Sequence, residues 1–226
     1  MSSAAAVAGK QTFFDYLSRH SADITTAVIA HAEVVLVAMA IATALGITLG
    51  LLVHNNRRAT DLALAICGVF LTIPSFALFA LLIPLLGLGY QPTVFALVLY
   101  ALLPIVRNTV AGLESVDPAI MESARGMGLA SRQRLWRIQL PLAWPVILTG
   151  IRVSTVVTVG IAAIAAGVVN GPGLGELIFG GLSSIGSPFA LNEALTGVLG
   201  VALIALAYDA VFVLVGRLTT SRGIRG

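Results

Sequence analysis

Hydrophobic residues in this 226-residue chain gather in long blocks separated by short polar stretches, with no alternation of apolar and polar faces along most of its length. The blocks fall at about 34–53, 62–86, 93–113, 145–168 and 191–215. Each is close to the ~20 apolar residues that an α-helix needs to cross a bilayer. The pattern predicts an all-α membrane protein, a polytopic bundle of about five transmembrane helices, because a helix satisfies its own backbone in a solvent that cannot. The first span can begin helically as early as Ile24, which would let it tilt. Pro74 and Pro84 in the second span predict a kink or break, and Pro104 lies inside the third. Gly87–Pro92 reads as an uncharged turn and Asn170–Pro188 as a glycine-rich connection. Gly150, Gly160 and Gly167, with several Ala, Ser and Thr, predict that the fourth span packs inside the bundle, since small residues let helix backbones approach.

One long polar stretch, 117–141, interrupts this pattern. Asp117 is placed as an N-cap, Pro118 suits the first helical position, and Ala119–Met127 are good helix formers, so a short helix is predicted there. Gly128 ends it. Ser131 offers a second N-cap for a helix over Arg132–Leu140, and Pro141, lacking an N–H, is expected to end that one. The first helix places Ile120, Ala124 and Met127 on one side and Glu122 with Arg125 on another. Helices this short are marginal alone and need a partner surface. On composition, a basic loop resting on anionic lipid headgroups is the competing reading.

At the ends, 1–23 is expected to be an external, interfacial segment: Met1–Gly9 is Ser/Ala-rich without the charged start of a signal peptide, and Phe13, Phe14, Tyr16 and Leu17 suit a helix lying at the membrane surface. The segment 24–217 is the membrane domain and 218–226 a cytoplasmic tail. Composition agrees: 58% of residues are hydrophobic and 10% charged, with a mean hydropathy of +1.00. The net charge of +3 does not indicate nucleic acid, because the arginines flank apolar spans. Arg57, Arg58, Arg125, Arg132, Arg134, Arg137, Arg217, Arg222 and Arg225 fall on one side under strict alternation, with Arg107 and Arg152 near it; Lys10 and Arg19 fall on the other. The positive-inside rule then puts the N-terminus outside, the C-terminus inside, and 117–141 in the cytoplasm.

Glu122, Ser123, Ala124, Gly128, Ile138, Leu140 and Pro141 stand at the spacing E-A-A, three residues, G, nine residues, I-x-L-P. This resembles the EAA signature of permease subunits of bacterial ABC importers, with Ser123 where the pattern usually has Ala. Seven specified positions over twenty residues make the resemblance specific. It implies a type I importer permease fold in the bacterial cytoplasmic membrane and a cytoplasmic coupling segment that docks into a separate ATPase subunit. It also implies a second permease chain, identical or paralogous, and an external substrate-binding protein. The runs Leu71–Gly89, Leu99–Ile120, Ala124–Gly128 and Gly173–Leu182 are similar to permeases of osmoprotectant importers for glycine betaine, choline or carnitine. Amino-acid and methionine importers share the coupling signature and form the alternative. In both cases the chain is expected not to be an enzyme.

Chemistry missing from the sequence supports the same division of labour. The sole lysine, Lys10, lacks the glycines and Ser/Thr of a phosphate-binding loop, so ATP and Mg are expected on the partner ATPase, with no cofactor in this chain. No metal-ligand cluster or nucleophile–base set stands out, and the lone Cys67 sits in an apolar run. Gly171–Gly175 reads as a turn or gate segment. His31 and Glu33 are expected to be interfacial polar groups near the outer boundary. Asp209 in the fifth span is expected to pair with Arg152 or with Arg107 as a buried structural partner. An ion-driven secondary transporter would call for an acid near the membrane midplane and an internal repeat, and the sequence offers neither.

Overall fold

The computed structural model describes residues 12–220; the expectations for 1–11 and 221–226, including Lys10, Arg222 and Arg225, lie outside the described residues. Those described form helices and no strand. Helix α1 (Phe13–Arg19) is capped by Thr12: its hydroxyl accepts from the Asp15 N–H at 3.3 Å, and the Asp15 carboxylate accepts from the Thr12 N–H at 3.2 Å. The Thr12 hydroxyl and N–H, aided by Arg19, hold the Asp15 carboxyl below its ordinary range. Helix α2 (Ser21–Val53) follows after a break at His20. It runs 33 residues, longer than the apolar block and consistent with the early start at Ile24.

The second predicted span is two helices, α3 (Arg57–Thr72) and α4 (Ser75–Leu86), bent by 96°. The bend falls at Pro74, not Pro84. A residue before proline is pushed out of the helical region, and Ile73 is extended at φ −75°, ψ 125°. Pro84 sits in the last turn of α4 without ending it. Helix α5 (Tyr90–Glu114) starts inside the expected turn, which shrinks to Gly87 and Gly89 at φ 73° and 95°. The polar stretch gives α6 (Pro118–Gly126) and α7 (Ser131–Arg134). A π-helical turn over Leu135–Gln139 leads into α8 (Leu140–Val169), then come α9 (Gly175–Ser183) and α10 (Ala190–Thr219). Four stretches are long and apolar enough to cross a membrane, Ser21–Val53, Tyr90–Glu114, Ser131–Val169 and Ala190–Thr219, and the bent pair makes up to five.

Two expectations are corrected. Pro141 does not end the second short helix, because Ser131–Val169 is one 39-residue stretch. The Leu140 N–H bonds back five residues to the Leu135 carbonyl. That wider turn precedes Pro141 and relieves the contact its ring would make with an α-helical carbonyl. Asn170–Pro188 is not all connection, since α9 lies within it. Its glycines serve close packing: a Cβ on Gly175 would come 2.0 Å from the Ala163 carbonyl, and one on Gly181 2.5 Å from that of Ala190.

The chain divides into two units, with the boundary falling inside α2, α5, α8 and α10. The first comprises the chain up to Val37, Ser75–Ala96 and Val159–Leu206. Its buried side chains include Val34, Val35, Phe79, Val159, Val169 and Leu174. His31 is fully buried with them, not interfacial, while Glu33 is exposed. The His31 ring donates from Nε2 to the Val159 carbonyl at 3.1 Å and lies against Gly173, whose φ is 121° and where an added Cβ would come 2.8 Å from His31, leaving no room for a side chain. The end of α8 is closed by Asn170 at φ 51°, the Gly89 N–H on the Val169 carbonyl and the Gly171 N–H on the Ala165 carbonyl.

The second unit comprises Ala38–Pro74, Leu97–Thr158 and the chain from Ala207 onward. Here α5 is gripped on two sides. A Cβ on Gly46 or Gly50 of α2 would come 2.6 Å from Ile105 or Thr109 of α5, and one on Gly150 of α8 would come 2.8 Å from the Pro104 carbonyl. Ser154 donates to the Ala101 carbonyl at 2.9 Å, and the Tyr100 hydroxyl donates at 2.6 Å to the Ile73 carbonyl at the Pro74 break. Gly160, by contrast, faces open space.

Replacing Gly50 by Leu forces α2 from α5 and is expected to cost about 1–3 kcal/mol. Gly68, whose Cβ position is open, should accept Ala with neutral or improved stability. Thermal melts of the two variants in detergent check this; equal midpoints would exclude the close approach.

Candidate functional site

The segment from Asp117 to Pro141 lies wholly in the second unit. The Asp117 carboxylate accepts from the Ala119 N–H at 2.8 Å, which satisfies one free donor at the start of α6 and leaves Pro118 at a position that needs none. At the other end the chain reverses through Gly128 at φ 79°. The Gly128 N–H bonds the Arg125 carbonyl at 2.9 Å and the Leu129 N–H the Ala124 carbonyl at 3.1 Å, the two bonds of a Schellman motif. Beyond the turn the cap is Ala130, not Ser131; its N–H donates to the Gln133 side chain at 3.0 Å. Ser131 instead accepts from Arg134 at 3.0 Å, and the same guanidinium donates to the Leu129 carbonyl at 2.7 Å, so Arg134 holds the turn closed. The Ser131–Arg134 spacing of three residues was the available signal for this staple.

The signature residues divide by environment. Ala124 is fully buried, which accounts for a small residue there. Glu122 and Ser123 beside it are exposed on α6, and no ion pair joins Glu122 to Arg125. Gly128 is open, so its backbone angle alone demands glycine. Ile138 and Leu140 are half-buried in and just after the π turn, and Pro141 is exposed. Ile120 is 42% exposed, Met127 72% and Trp136 54%. The segment therefore presents an acid, a hydroxyl and large apolar side chains on a rigid, capped frame, the composition of a surface made to be covered.

Of the ionisable groups in the apolar helices, Asp209 takes Arg152 and not Arg107. The guanidinium forks onto the carboxylate, Nε to Oδ1 at 2.5 Å and a terminal nitrogen to Oδ2 at 2.7 Å. The side chains are 43% and 34% exposed, so the pair is not buried within this chain as expected. The residues on the exposed side of α10, including Leu203, Leu206 and Val211, show why: little of that helix is covered by its own chain. Arg107 is exposed and lines a cavity of about 630 Å³ with His54, Arg57, Asp61 and Glu114. The buried role of His31 was missed, although it continues the α2 stripe of Val34, Val35, Ala38 and Ala42.

Asp209→Asn should leave Arg152 without its counter-charge and lower stability slightly, because both groups are partly exposed and screened by solvent. Arg152→Gln with Asp209→Asn should recover most of that loss. A double-mutant cycle by thermal melt measures the coupling; additivity of the two single changes would show that the fork contributes nothing.

Residues 42–221 match the family described as binding-protein-dependent transport system inner membrane component. The chain is similar to the osmoprotectant import permease protein OsmW of Salmonella typhimurium, at 39% identity covering 86% of this chain and 91% of the relative. It is similar also to the glycine betaine/carnitine/choline transport system permease protein OpuCB of Bacillus subtilis, at 32% identity covering 87% of this chain and 88% of that one. Among solved structures it resembles the MetNI methionine ABC transporter in an inward-facing conformation, with a TM-score of 0.74 at 21% identity over 88% of this chain and 96% of the other. At that identity the likeness concerns the fold. The family match takes in everything from the middle of α2 to the end of α10, and the chain therefore belongs to the inner membrane components of binding-protein-dependent transport systems.

Proposed function

We propose that this chain is the permease subunit of an ATP-driven importer that carries a compatible solute of the glycine betaine, choline or carnitine type. The substrate class rests on the two osmoprotectant permeases named above, each matched over most of this chain. Family membership sets aside the ion-driven alternative. ATP and Mg are held by a separate ATPase subunit, a second permease chain completes the pathway, and an external binding protein delivers the solute. The N-terminus lies outside and the C-terminus in the cytoplasm, the orientation that the arginine distribution favours.

The observation that carries the coupling role is the α6–turn–α7 frame with its exposed face. The ATPase docks on Ile120, Met127, Glu122 and Ser123, and ATP-driven closure moves the frame. Because α7 runs through the π turn into α8 without a break, the displacement enters a membrane helix directly. Ala124 and Gly128 keep the frame rigid enough to transmit it, one by close packing and the other by its left-handed turn. A second reading, a permease for amino acids, uses the same coupling and differs in the solute alone.

Radiolabelled glycine betaine uptake in proteoliposomes holding this chain, its ATPase and its binding protein tests both levels. Uptake should require ATP and be lost in Glu122→Lys. Gly128→Val, straining the turn by about 1–2 kcal/mol, should retain ATP hydrolysis while transport falls. ATP turnover stimulated by a binding protein loaded with another solute would keep the importer and change the substrate. An ATPase that never co-purifies with the chain in detergent would overturn the coupling role.

A further inference from the structure

A second feature of the same region is lined by none of the signature residues. Between the α2–α3 loop and the helix–turn–helix lies a cavity of about 460 Å³, lined among others by His54, Asn55, Arg125, Arg132, Arg134 and Gln139. Three arginines and a histidine converge on it, and no carboxylate is among its lining residues. Glu122 is absent from the lining, and the nearest acid in sequence to these arginines forms no ion pair with them. Three guanidinium charges on one concavity repel one another unless a counter-charge sits among them.

The arginines are not equivalent. Arg134 is anchored by its terminal nitrogens, to the Leu129 carbonyl at 2.7 Å and to Ser131 at 3.0 Å, and its Nε is buried without a hydrogen-bond partner. Its two bonds hold the guanidinium in place, so Arg134 stands as a fixed positive charge in the wall that an anionic acceptor entering the cavity would face. Arg125 and Arg132 are exposed and free to swing onto such an acceptor from the two sides of the Gly128 turn. Asn55 and Gln139 supply further polar groups, while Met121 and Leu135 make part of the wall apolar. Forked guanidinium groups match phosphate oxygens, and a neutral or cationic solute has no reason to enter. The apolar wall suits a phosphate ester carrying an aliphatic substituent better than a bare ion.

We propose that this cavity binds a phosphate group, supplied by the headgroup of an anionic phospholipid, and that the bound phosphate clamps α6, α7 and the α2–α3 loop together. Basic concavities among membrane helices on the cytoplasmic side meet such headgroups at the right depth. The inference rests on the cytoplasmic placement proposed above, and it makes lipid composition a determinant of how stiff the coupling frame is. It is separable from docking, since it concerns other residues and needs no ATPase.

The test uses the full-length chain alone in nanodiscs, either of phosphatidylcholine or of phosphatidylcholine with phosphatidylglycerol, with bound lipid counted by native mass spectrometry and stability followed by thermal melt. Phosphatidylglycerol should be retained and should raise the midpoint. Each of Arg125→Gln and Arg132→Gln should weaken retention by roughly fivefold, the worth of one arginine at a charged lipid surface. Arg132→Lys, which keeps the charge and loses the fork, should fall between. Arg57→Gln removes a nearby positive charge that does not line this cavity and should change nothing. If inorganic phosphate at millimolar concentration raises the midpoint equally in phosphatidylcholine alone, the source is free phosphate and the headgroup assignment is overturned. Equal retention by the native chain and the double variant Arg125→Gln/Arg132→Gln, or an equal loss in Arg57→Gln, would overturn the site itself.

Discussion

A backbone polar group inside a bilayer has no water to turn to, and this requirement governs how the chain is built wherever a helix stops. At the Pro74 break the exposed Ile73 carbonyl is met by the Tyr100 hydroxyl at 2.6 Å, from a helix 27 residues away in sequence. At the end of α8 the carbonyls of Ala165 and Val169 take the N–H groups of Gly171 and Gly89, and Asn170 turns through a left-handed angle to allow it. His31, placed on the α2 stripe, donates to Val159 within α8 and packs against Gly173 in the chain that follows it. These two breaks have dedicated partners, so they are ordered parts of the fold.

The same economy shapes the segment from Asp117 to Pro141. Its two short helices would be marginal alone. They hold because Asp117, the Schellman bonds at Gly128 and the Arg134 staple satisfy the groups at their ends, and because the second is not a separate helix at all. The π turn at Leu135–Gln139 joins it to α8, which carries Arg152 into the fork with Asp209 of α10. A displacement of the segment thus has a covalent and hydrogen-bonded route into two membrane helices.

Much of the segment was legible because its determinants are local. Asp117, Pro118 and Gly128 act on atoms within five residues, so residue type and spacing state their role. Pro141 was misread for an instructive reason. Ending a helix at a proline assumes the α register, and one π turn beforehand removes the assumption. The glycines of 171–181 were misread because glycine has two uses. Some supply a left-handed turn, as Gly173 does, and others, as Gly175 and Gly181 do, admit a neighbouring backbone.

The sequence by itself determined that this is a membrane bundle of helices, about where the apolar stretches lie, and which polar stretch forms capped short helices between them. Those properties follow from apolar length and from short-range capping, both of which are one-dimensional. Only the tertiary structure decided that Asp209 takes Arg152, 57 residues away, in preference to Arg107, that His31 is buried, and that Arg125, Arg132 and Arg134 share one cavity. Such choices depend on distances between helices, set by contacts such as Gly46 and Gly50 against α5, and no local pattern encodes them.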